Sequence, residues 1–382
     1  MRLLHARPNH VRRRVYRRRA RGFSGGNTGV DERQYLPLRG VHQHRQRSRC
    51  GGAGSLDVFA FRYTKATDEK SALRAAAAGA RYIAGGTTLV DLMRETVERP
   101  DSLVDINALP YSSIDVQPGK IHIGSLVRMS DLADHPVVRQ QVPVISQSLE
   151  LSASAQLRNM ASIGGNLLQR TRCLYFRDVS AACNRRTPGA GCSAIDGRNR
   201  THAILGTSRS CIATHPSDLA VALLALDGVV VARDTDGERR IPLADFFRQP
   251  GDSPQKEHNL RAGELIVAIE VPIGPEARRS GYLKVRDRES YEFALASAAV
   301  ALDIGAGAIR SARVAVGGVG TVPWRLPAVE RALRGRPPIA DVFRDAAALA
   351  ADGAHPLHEN SFKVELVKRT VERQLATVAA MP

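Results

Sequence analysis

The sequence predicts a mixed α+β fold of two domains, preceded by an arginine-rich extension. Residues 57–166 interleave short strand-like and helix-like patterns. Residues 169–216 have few apolar residues at any regular period, and Gly, Arg, Asn and Cys accumulate there. The last hundred residues show several strands followed by helices, which is the arrangement of a small α+β domain. We therefore assign 1–56 to the extension, 57–275 to the first domain with an insert at 169–216, and 276–382 to the second.

The elements follow from hydrophobic period and from turn residues. Strand-like alternation and β-branched residues predict strands at 57–63, 81–84, 102–106, 120–124, 228–233, 264–272, 281–285, 294–303 and 308–317. Helical spacing predicts helices at 68–79, 89–95, 129–132, 138–151, 326–333 and 361–375. The insert of nearly fifty residues has no regular pattern of its own, so we expect something other than a hydrophobic core to order it.

Composition excludes two classes of protein. The chain has 382 residues, 43% of them hydrophobic, which is ordinary for a globular protein. No apolar run approaches the length of about 18 residues that a membrane span needs. Aromatic residues make up 5% and Trp324 is the single tryptophan, so a stacking surface for single-stranded nucleic acid is poorly supplied.

The net charge of +17 is concentrated in the extension. Residues 1–50 contain 14 Arg and no Lys, against Asp31 and Glu32 as the acidic residues. An RNA-binding or targeting arm is one interpretation. We favour a disordered extension or a start codon assigned too far upstream, because such a composition cannot build a core. No apolar stretch follows the arginines, as a twin-arginine export signal would require.

Two glycine loops are candidates for phosphate binding. The first, Ile83-Ala84-Gly85-Gly86-Thr87-Thr88-Leu89, lies between a predicted strand and a predicted helix. The second is Ala161-Ser162-Ile163-Gly164-Gly165-Asn166, in which Asn166 suits a left-handed backbone or a donor role. Paired glycines let backbone N–H groups approach a phosphate closely, and hydroxyl groups add donors. A tight turn explains either loop alone, but two together favour a dinucleotide.

Four of the five cysteines fall in the insert: Cys173, Cys183, Cys192 and Cys211. Their spacing leaves three interpretations equally open. Two disulfides would staple the segment in an oxidising compartment. A zinc ion would need four thiolates, although closer pairs are usual. A 4Fe–4S cluster also needs four thiolates and would order a segment without a core. For His202 and His215 we expect structural hydrogen bonds.

No nucleophile or acid/base arrangement stands out in the sequence. It contains no G-x-S-x-G, no H-E-x-x-H and no carboxylate pair with acid/base spacing. A cofactor cradle and grouped thiols without such machinery favour electron transfer, in which the cofactors carry the chemistry.

Both glycine loops resemble those of a known family. Residues 84–93 and 156–166 are similar to the FAD-binding loops of the xanthine dehydrogenase and carbon monoxide dehydrogenase flavoproteins. The cysteine insert resembles the branch that serves the molybdenum aldehyde oxidoreductases. This resemblance covers about residues 57–382 and implies a two-lobed FAD-binding domain of the vanillyl-alcohol oxidase (PCMH) type, followed by a small α+β domain. Relatives have nothing that matches the extension or its Cys50.

The resemblance also implies site residues. Family contacts with FAD match by position Ile83, Ala84, Gly85, Gly86, Thr87, Thr88, Leu89, Val90, Asp91, Ser152, Ser162, Ile163, Gly164, Gly165, Asn166, Asp218, Ile266 and Lys284. A cation at Lys284 would favour the reduced flavin, although a surface lysine is the alternative, and Asp218 could simply be a helix N-terminal acid. In the aldehyde oxidoreductase branch a 4Fe–4S cluster is bound by four cysteines that match Cys173, Cys183, Cys192 and Cys211.

The implied function is that of one subunit of a heterotrimer. A molybdopterin-containing large subunit oxidises an aldehyde, a small subunit with 2Fe–2S clusters relays the electrons, and FAD passes them to an external acceptor. The implied location is the cytoplasm, or the periplasm by export with a partner subunit. A flavoprotein of a 4-hydroxybenzoyl-CoA reductase-like or xanthine dehydrogenase-like enzyme is the alternative. A four-cysteine zinc protein that binds nucleic acid is more remote, because it leaves the glycine loops without a role.

Overall fold

The computed structural model describes residues 59–382. The expectations for the extension, for Cys50 and for the start of the first strand lie outside the described residues. Up to residue 274 the strands are β1 (Arg62–Lys65), β2 (Arg81–Ile83), β3 (Ser102–Asp105), β4 (Ile114–Gln117), β5 (Lys120–Gly124), β6 (Val229–Arg233), β7 (Glu238–Pro242) and β8 (Leu265–Pro272). The helices there are α1 (Glu69–Ala77), α2 (Leu89–Arg94), α3 (Met129–Asp134), α4 (Pro136–Gln141), α5 (Pro143–Glu150), α6 (Ala155–Arg158), α7 (Ile163–Leu167), α8 (Leu174–Arg177), α9 (Ser193–Asp196), α10 (Asp218–Ala225) and α11 (Leu243–Phe246).

The remaining elements belong to the C-terminal part. They are β9 (Ser280–Val285), β10 (Ala296–Gly305), β11 (Ala308–Gly317), β12 (Trp324–Arg325), α12 (Pro327–Leu333), α13 (Ala340–Ala347), a 3₁₀ turn (Ala348–Ala351) and α14 (Phe362–Ala379). The α+β prediction is therefore confirmed. None of the helices between residues 59 and 382 is long and apolar enough to cross a membrane.

The first lobe is a three-stranded parallel sheet in the order β1-β3-β2. Helix α1 connects β1 to β2, and it begins with a capping box: Asp68 accepts a hydrogen bond from the Ser71 N–H at 2.7 Å, and the Ser71 hydroxyl oxygen accepts one from the Asp68 N–H. The glycine loop follows β2 at the carboxyl end of this sheet and leads directly into α2. This end of a parallel sheet is where ligands usually bind.

The second lobe is a five-stranded antiparallel sheet in the order β4-β5-β8-β6-β7. Its core is packed by α3, α4, α5, α7 and α10. Every residue of α10 is buried, which explains the unbroken apolar run at its place in the sequence. The single helix predicted over 138–151 is wrong: Val142 leaves the helical region and Pro143, which has no N–H, starts a new helix.

The C-terminal part is a four-stranded antiparallel sheet, β12-β11-β10-β9, with α12, α13 and α14 on one face. Strand β10 is buried on both faces. Ala298 and Val300 pack against those helices, whereas Ala299 and Ala301 on the opposite face join the core of the second lobe. This double burial explains why β10 is almost continuously apolar in the sequence. Sequence patterning missed α13, β4 and β7.

The insert is irregular, as expected, and is ordered by polar contacts. Between Gln169 and Pro216 the helices are the two single turns α8 and α9. The Arg186 guanidinium donates to the carbonyl oxygens of Tyr175 (2.9 Å) and Phe176 (2.7 Å). Asn199 and Lys363, both fully buried, tie the insert to the C-terminal part: Asn199 accepts from the Glu359 N–H, and Lys363 donates to the Thr201 carbonyl oxygen at 3.0 Å.

Candidate cofactor and cysteine site

The two glycine loops contact each other directly. A Cβ atom at Gly85 would lie 1.9 Å from the carbonyl oxygen of Met160, so only glycine lets the first loop approach the backbone of the second this closely. Gly86 has φ +72°, a left-handed conformation that also favours glycine. The glycines therefore bring two backbone segments together, in addition to leaving N–H groups open to a ligand.

The second loop is fixed by its own helix start. The Ser162 hydroxyl caps α7 by accepting from the Gly165 N–H at 3.3 Å, and the Gly164 N–H donates to the Ser125 carbonyl oxygen at 2.8 Å. Asn166 is helical, so its expected left-handed conformation is wrong. Its side chain donates to the Met129 sulfur at 3.4 Å and accepts from the Ser217 hydroxyl at 2.6 Å. Asn166 thus connects the loop to the start of α10.

Two residues that the sequence analysis did not single out join the loops. Asn107 donates to the Ala84 carbonyl oxygen at 3.0 Å, and its own side-chain oxygen accepts from Arg128 at 3.0 Å. Arg128 also donates to the Met160 carbonyl oxygen at 2.6 Å. Neither residue lies in a glycine loop, and no local pattern marks them, because their partners are distant in the sequence.

A buried polar cluster lies where the second lobe meets β9. Asp218 accepts from the Ser152 hydroxyl at 3.1 Å, from the Tyr282 hydroxyl at 2.7 Å and from the Lys284 ammonium at 2.8 Å. The Lys284 side chain is 1% exposed and that of Asp218 is 7% exposed, so the surface-lysine alternative is wrong. Lys284 also donates to the Leu151 carbonyl oxygen at 3.1 Å. Burial, followed by the charge of Asp218, raises the pKa of Tyr282 well above its usual value, so its hydroxyl remains a donor.

Most of the expected FAD contacts are thus brought together. Ser152, Asp218 and Lys284 form one cluster, and Ser217 links it through Asn166 to the second loop. Ile266 differs, because its side chain is buried in the hydrophobic core of the second lobe, where Ala232 is its partner across the sheet. We found no cofactor-directed role for the Ile266 side chain.

A pocket opens beside this cluster, lined by Arg172, His215, Ser217, Asp218 and Phe293 among others. The Nε of Arg172 is buried and has no hydrogen-bond partner among the described residues. Burial, followed by the charge of Arg185, lowers the pKa of His215 to about 3, and its Nδ1 accepts from the Ser217 N–H at 3.3 Å. His215 therefore has the structural role that was expected. The unpartnered Arg172 Nε and the two glycine loops fit an anionic cofactor.

The four cysteines of the insert line one cavity. Cys183 and Cys192 face each other in an antiparallel bridge, and none of the four thiols forms a disulfide. Burial raises the pKa of Cys173 to about 12 and also raises the pKa of Cys192. Burial therefore favours the protonated form of these two thiols, whose protons a metal would have to displace.

Four thiols are the donor set of a zinc ion and of a 4Fe–4S cluster alike. Among residues 59–382, no three His, Cys, Asp or Glu side chains stand close enough to bind a single metal ion. A zinc ion with bonds of about 2.3 Å would need four sulfur atoms close together. Four cysteine side chains around one cavity have the ligand chemistry that a 4Fe–4S cluster would need. The Arg185 guanidinium lies 3.7 Å from the Cys211 sulfur and the Ala213 N–H donates to the same sulfur at 3.5 Å, contacts that would stabilise a negatively charged group.

His202 lies at the edge of the same cavity. Its Nε2 is 3.2 Å from the Cys173 sulfur, and burial, followed by the charge of Lys363, lowers its pKa to about 4. This contact agrees with the expected hydrogen-bonding role.

Comparisons with known proteins match this geometry. Residues 59–274 match the model of the FAD binding domain in molybdopterin dehydrogenase, and residues 281–378 match that of the CO dehydrogenase flavoprotein C-terminal domain. The chain is 47% identical over 305 residues to the aldehyde oxidoreductase FAD-binding subunit PaoB of Escherichia coli (strain K12), covering 79% of this chain and 92% of that one.

More distant relatives preserve the same layout. The chain is 26% identical over 326 residues to the glyceraldehyde dehydrogenase medium chain of Sulfolobus acidocaldarius, covering 84% of this chain and 98% of that one. The crystal structure of quinoline 2-oxidoreductase from Pseudomonas putida 86 superposes with a TM-score of 0.66 at 22% identity, covering 85% of this chain and 98% of the other. At that identity the superposition establishes the fold.

Proposed function

This chain belongs to the molybdopterin dehydrogenase FAD-binding domain family, and from that premise we propose that it is the FAD- and 4Fe–4S-containing electron-transfer subunit of a heterotrimeric aldehyde oxidoreductase. The observation that carries the proposal is the 47% identity, over 92% of its length, with an aldehyde oxidoreductase FAD-binding subunit. This identity favours an aldehyde oxidoreductase over a benzoyl-thioester reductase or a xanthine dehydrogenase.

The proposed division of labour is the one that the family resemblance implies. Oxidation of an aldehyde with water to a carboxylate releases two electrons and three protons, and it takes place on a molybdopterin-containing large subunit. A small subunit with 2Fe–2S clusters delivers the electrons to this chain. The chemistry that FAD would supply here is storage of two electrons, received singly from the 2Fe–2S clusters and available to an external acceptor. Among the described residues we find no nucleophile or acid/base pair arranged for aldehyde chemistry, and the proposal requires none here.

The residues of this chain hold and orient the cofactor. Gly85 lets the first loop approach the second at Met160, and Gly164 lets the second loop pack on Ser125, so both loops are held beside the place proposed for the pyrophosphate. Arg128 and Asn107 fix the distance between the loops. The buried Asp218 carboxylate pairs with the Lys284 ammonium and accepts from the Tyr282 hydroxyl, so it orients both groups.

The cysteine residues would bind the cluster as thiolates. Cys173, Cys183, Cys192 and Cys211 surround one cavity, and Arg185 places a buried positive charge beside it. Iron would bind the thiolates, so its loading would have to displace the proton that burial favours on Cys173. We place the assembled enzyme in the cytoplasm, or in the periplasm by export with a partner subunit.

The test is a cofactor analysis of the chain purified without oxygen, alone and together with the products of neighbouring genes. We expect a flavin spectrum, one FAD, and about four iron and four sulfide per chain. In the complex with both partner subunits, an aldehyde should bleach the flavin absorbance, whereas the isolated chain should not respond. Zinc without flavin would overturn the proposal, and so would a flavin that bleaches with aldehyde when no partner subunit is present.

A further inference from the structure

We propose that Asp91 is a positioning residue that couples the first glycine loop to the cysteine segment, so that FAD binding and ordering of the cysteines favour each other. The inference rests on the proposed function, because it takes FAD as the ligand of the loop. By position in the family, Asp91 matches a cofactor contact. In this structure its carboxylate accepts from two arginines of the insert instead: Arg172, at 3.0 Å, and Arg177.

These arginines lie on either side of Cys173. Arg172 precedes it directly, and Arg177 ends α8, the single turn that begins after it. Asp91 lies in the first turn of α2, directly after the glycine loop. One carboxylate therefore joins the loop that faces FAD to the segment that begins with a cysteine of the cavity.

The ion pairs continue along α2. Arg177 also pairs with Glu95 at 3.2 Å, and Arg170 pairs with Glu98. The Arg177 and Glu98 side chains are each 13% exposed. Such partly desolvated pairs are screened less by solvent than surface pairs, and a network holds its geometry better than an isolated pair. Three acidic residues along α2 and the turn after it thus face three arginines of the insert.

Apolar packing reinforces this contact. Leu92 of α2 is 2% exposed and forms a small buried cluster with Phe176 and Cys183. The Arg170 guanidinium stacks over the Phe176 ring at 4.5 Å. A cysteine of the cavity therefore packs directly on the helix whose first residues follow the glycine loop, and movement of one displaces the other.

Thermodynamic linkage predicts that this contact has a measurable effect on both FAD affinity and cysteine accessibility. If order in the cysteine segment raises the affinity for FAD, then FAD must lower the accessibility of the cysteines by the same free energy. The coupling passes through Asp91, so removing its charge should uncouple the two.

The experiment uses the full chain prepared without iron. The rate of iodoacetamide labelling at Cys183 is followed by mass spectrometry with and without FAD, and FAD affinity is measured by flavin fluorescence. The variants are Asp91→Asn, Arg177→Gln and the double variant, with folding checked by circular dichroism. Glu365→Gln is the matched control, because it removes a carboxylate whose partner, Arg369, lies on the exposed face of α14.

We expect FAD to slow labelling of the native chain by about fivefold or more, which is the lower range of measured coupling. Each single variant should lose this protection and bind FAD more weakly, and the double variant should be no worse than either single one. Glu365→Gln should behave as the native chain.

Distinct results would overturn the proposal. If Asp91→Asn weakens FAD binding but Arg177→Gln does not, Asp91 acts on the cofactor alone and the coupling is wrong. Equal protection in the variants and the native chain would also refute the coupling. If the native chain binds no FAD, the proposed function fails together with the coupling.

Discussion

Replacement of Gly85 by alanine tests the contact between the two glycine loops. The φ of Gly85 is not left-handed, so the backbone itself tolerates alanine. The new Cβ atom, however, would lie 1.9 Å from the Met160 carbonyl oxygen and 2.7 Å from its carbon, whereas real Cβ contacts essentially never fall under 3.0 Å. The second loop must therefore withdraw by about 1 Å, and its backbone cannot avoid the clash by changing a rotamer.

The cost should appear in cofactor affinity. Overpacking of this kind costs about 1–3 kcal/mol. Without FAD the loops can separate and relieve the clash, whereas bound FAD requires them to be close. Withdrawal of Met160 also lengthens its 2.6 Å hydrogen bond from Arg128. We expect the Kd for FAD to rise about 5- to 140-fold, since every 1.4 kcal/mol is a factor of ten.

The assay is equilibrium titration of the flavin-free chain with FAD. The matched control is Gly119→Ala in the turn between β4 and β5, where φ is +78° and no atom lies within 4 Å of the added Cβ. This control makes the same glycine-to-alanine change and strains the backbone at Gly119, but it should leave the Kd for FAD unchanged. Native affinity in the Gly85→Ala variant would show that the loops do not close on the cofactor as a pair.

Three further predictions concern the buried polar groups and the cysteines. Asp218→Asn leaves the Lys284 ammonium buried without its counter-charge and should lower the free energy of unfolding by about 3–5 kcal/mol in urea titrations. Adding Lys284→Met should restore much of the lost stability. Unchanged stability in the single variant would contradict the buried pair. Cys183→Ser should lose iron but retain most of its flavin at saturating FAD, as measured by metal and flavin analysis; equal loss of both would mean that the segment is needed for folding. Burial lowers the pKa of Lys363 from 10.5 to about 7, so between these values the unfolded chain holds a proton that the folded protein has released, and stability should rise with pH by at most about 1.4 kcal/mol per unit. Lys363→Met should remove that rise in urea unfolding series from pH 7 to pH 10, and an unchanged slope would refute the shift.

Local patterns predicted much of the fold. The apolar runs in β8 and β10 marked strands that the structure contains. The glycine pairs marked both loops, although the contact with Met160 that requires glycine at Gly85 could not be predicted from the sequence. The family resemblance brought in Ser152, Asp218 and Lys284, and the structure places them in one cluster.

Local sequence patterns could not predict the long-range contacts. Arg128 and Asn107 join the two loops across 32 and 23 residues of chain, and nothing in their neighbourhoods distinguishes them from surface residues. The burial of Lys284 depends on how β9 packs against the second lobe, and hydrophobic periodicity in the sequence does not predict that packing. Asp91 was expected at the cofactor from the family resemblance, and its arginine partners come from a segment without a periodic pattern.

The side chains of β10, which alternate between two hydrophobic cores, affect how cooperatively the protein unfolds. One strand supplies side chains to two hydrophobic cores. Unfolding of either core therefore removes packing partners from the other. Heating should give one cooperative transition for residues 59–382 rather than two. A protease that cuts in the connection between β8 and β9 would release fragments that each expose an apolar sheet face, which favours aggregation of the cut pieces over independent survival.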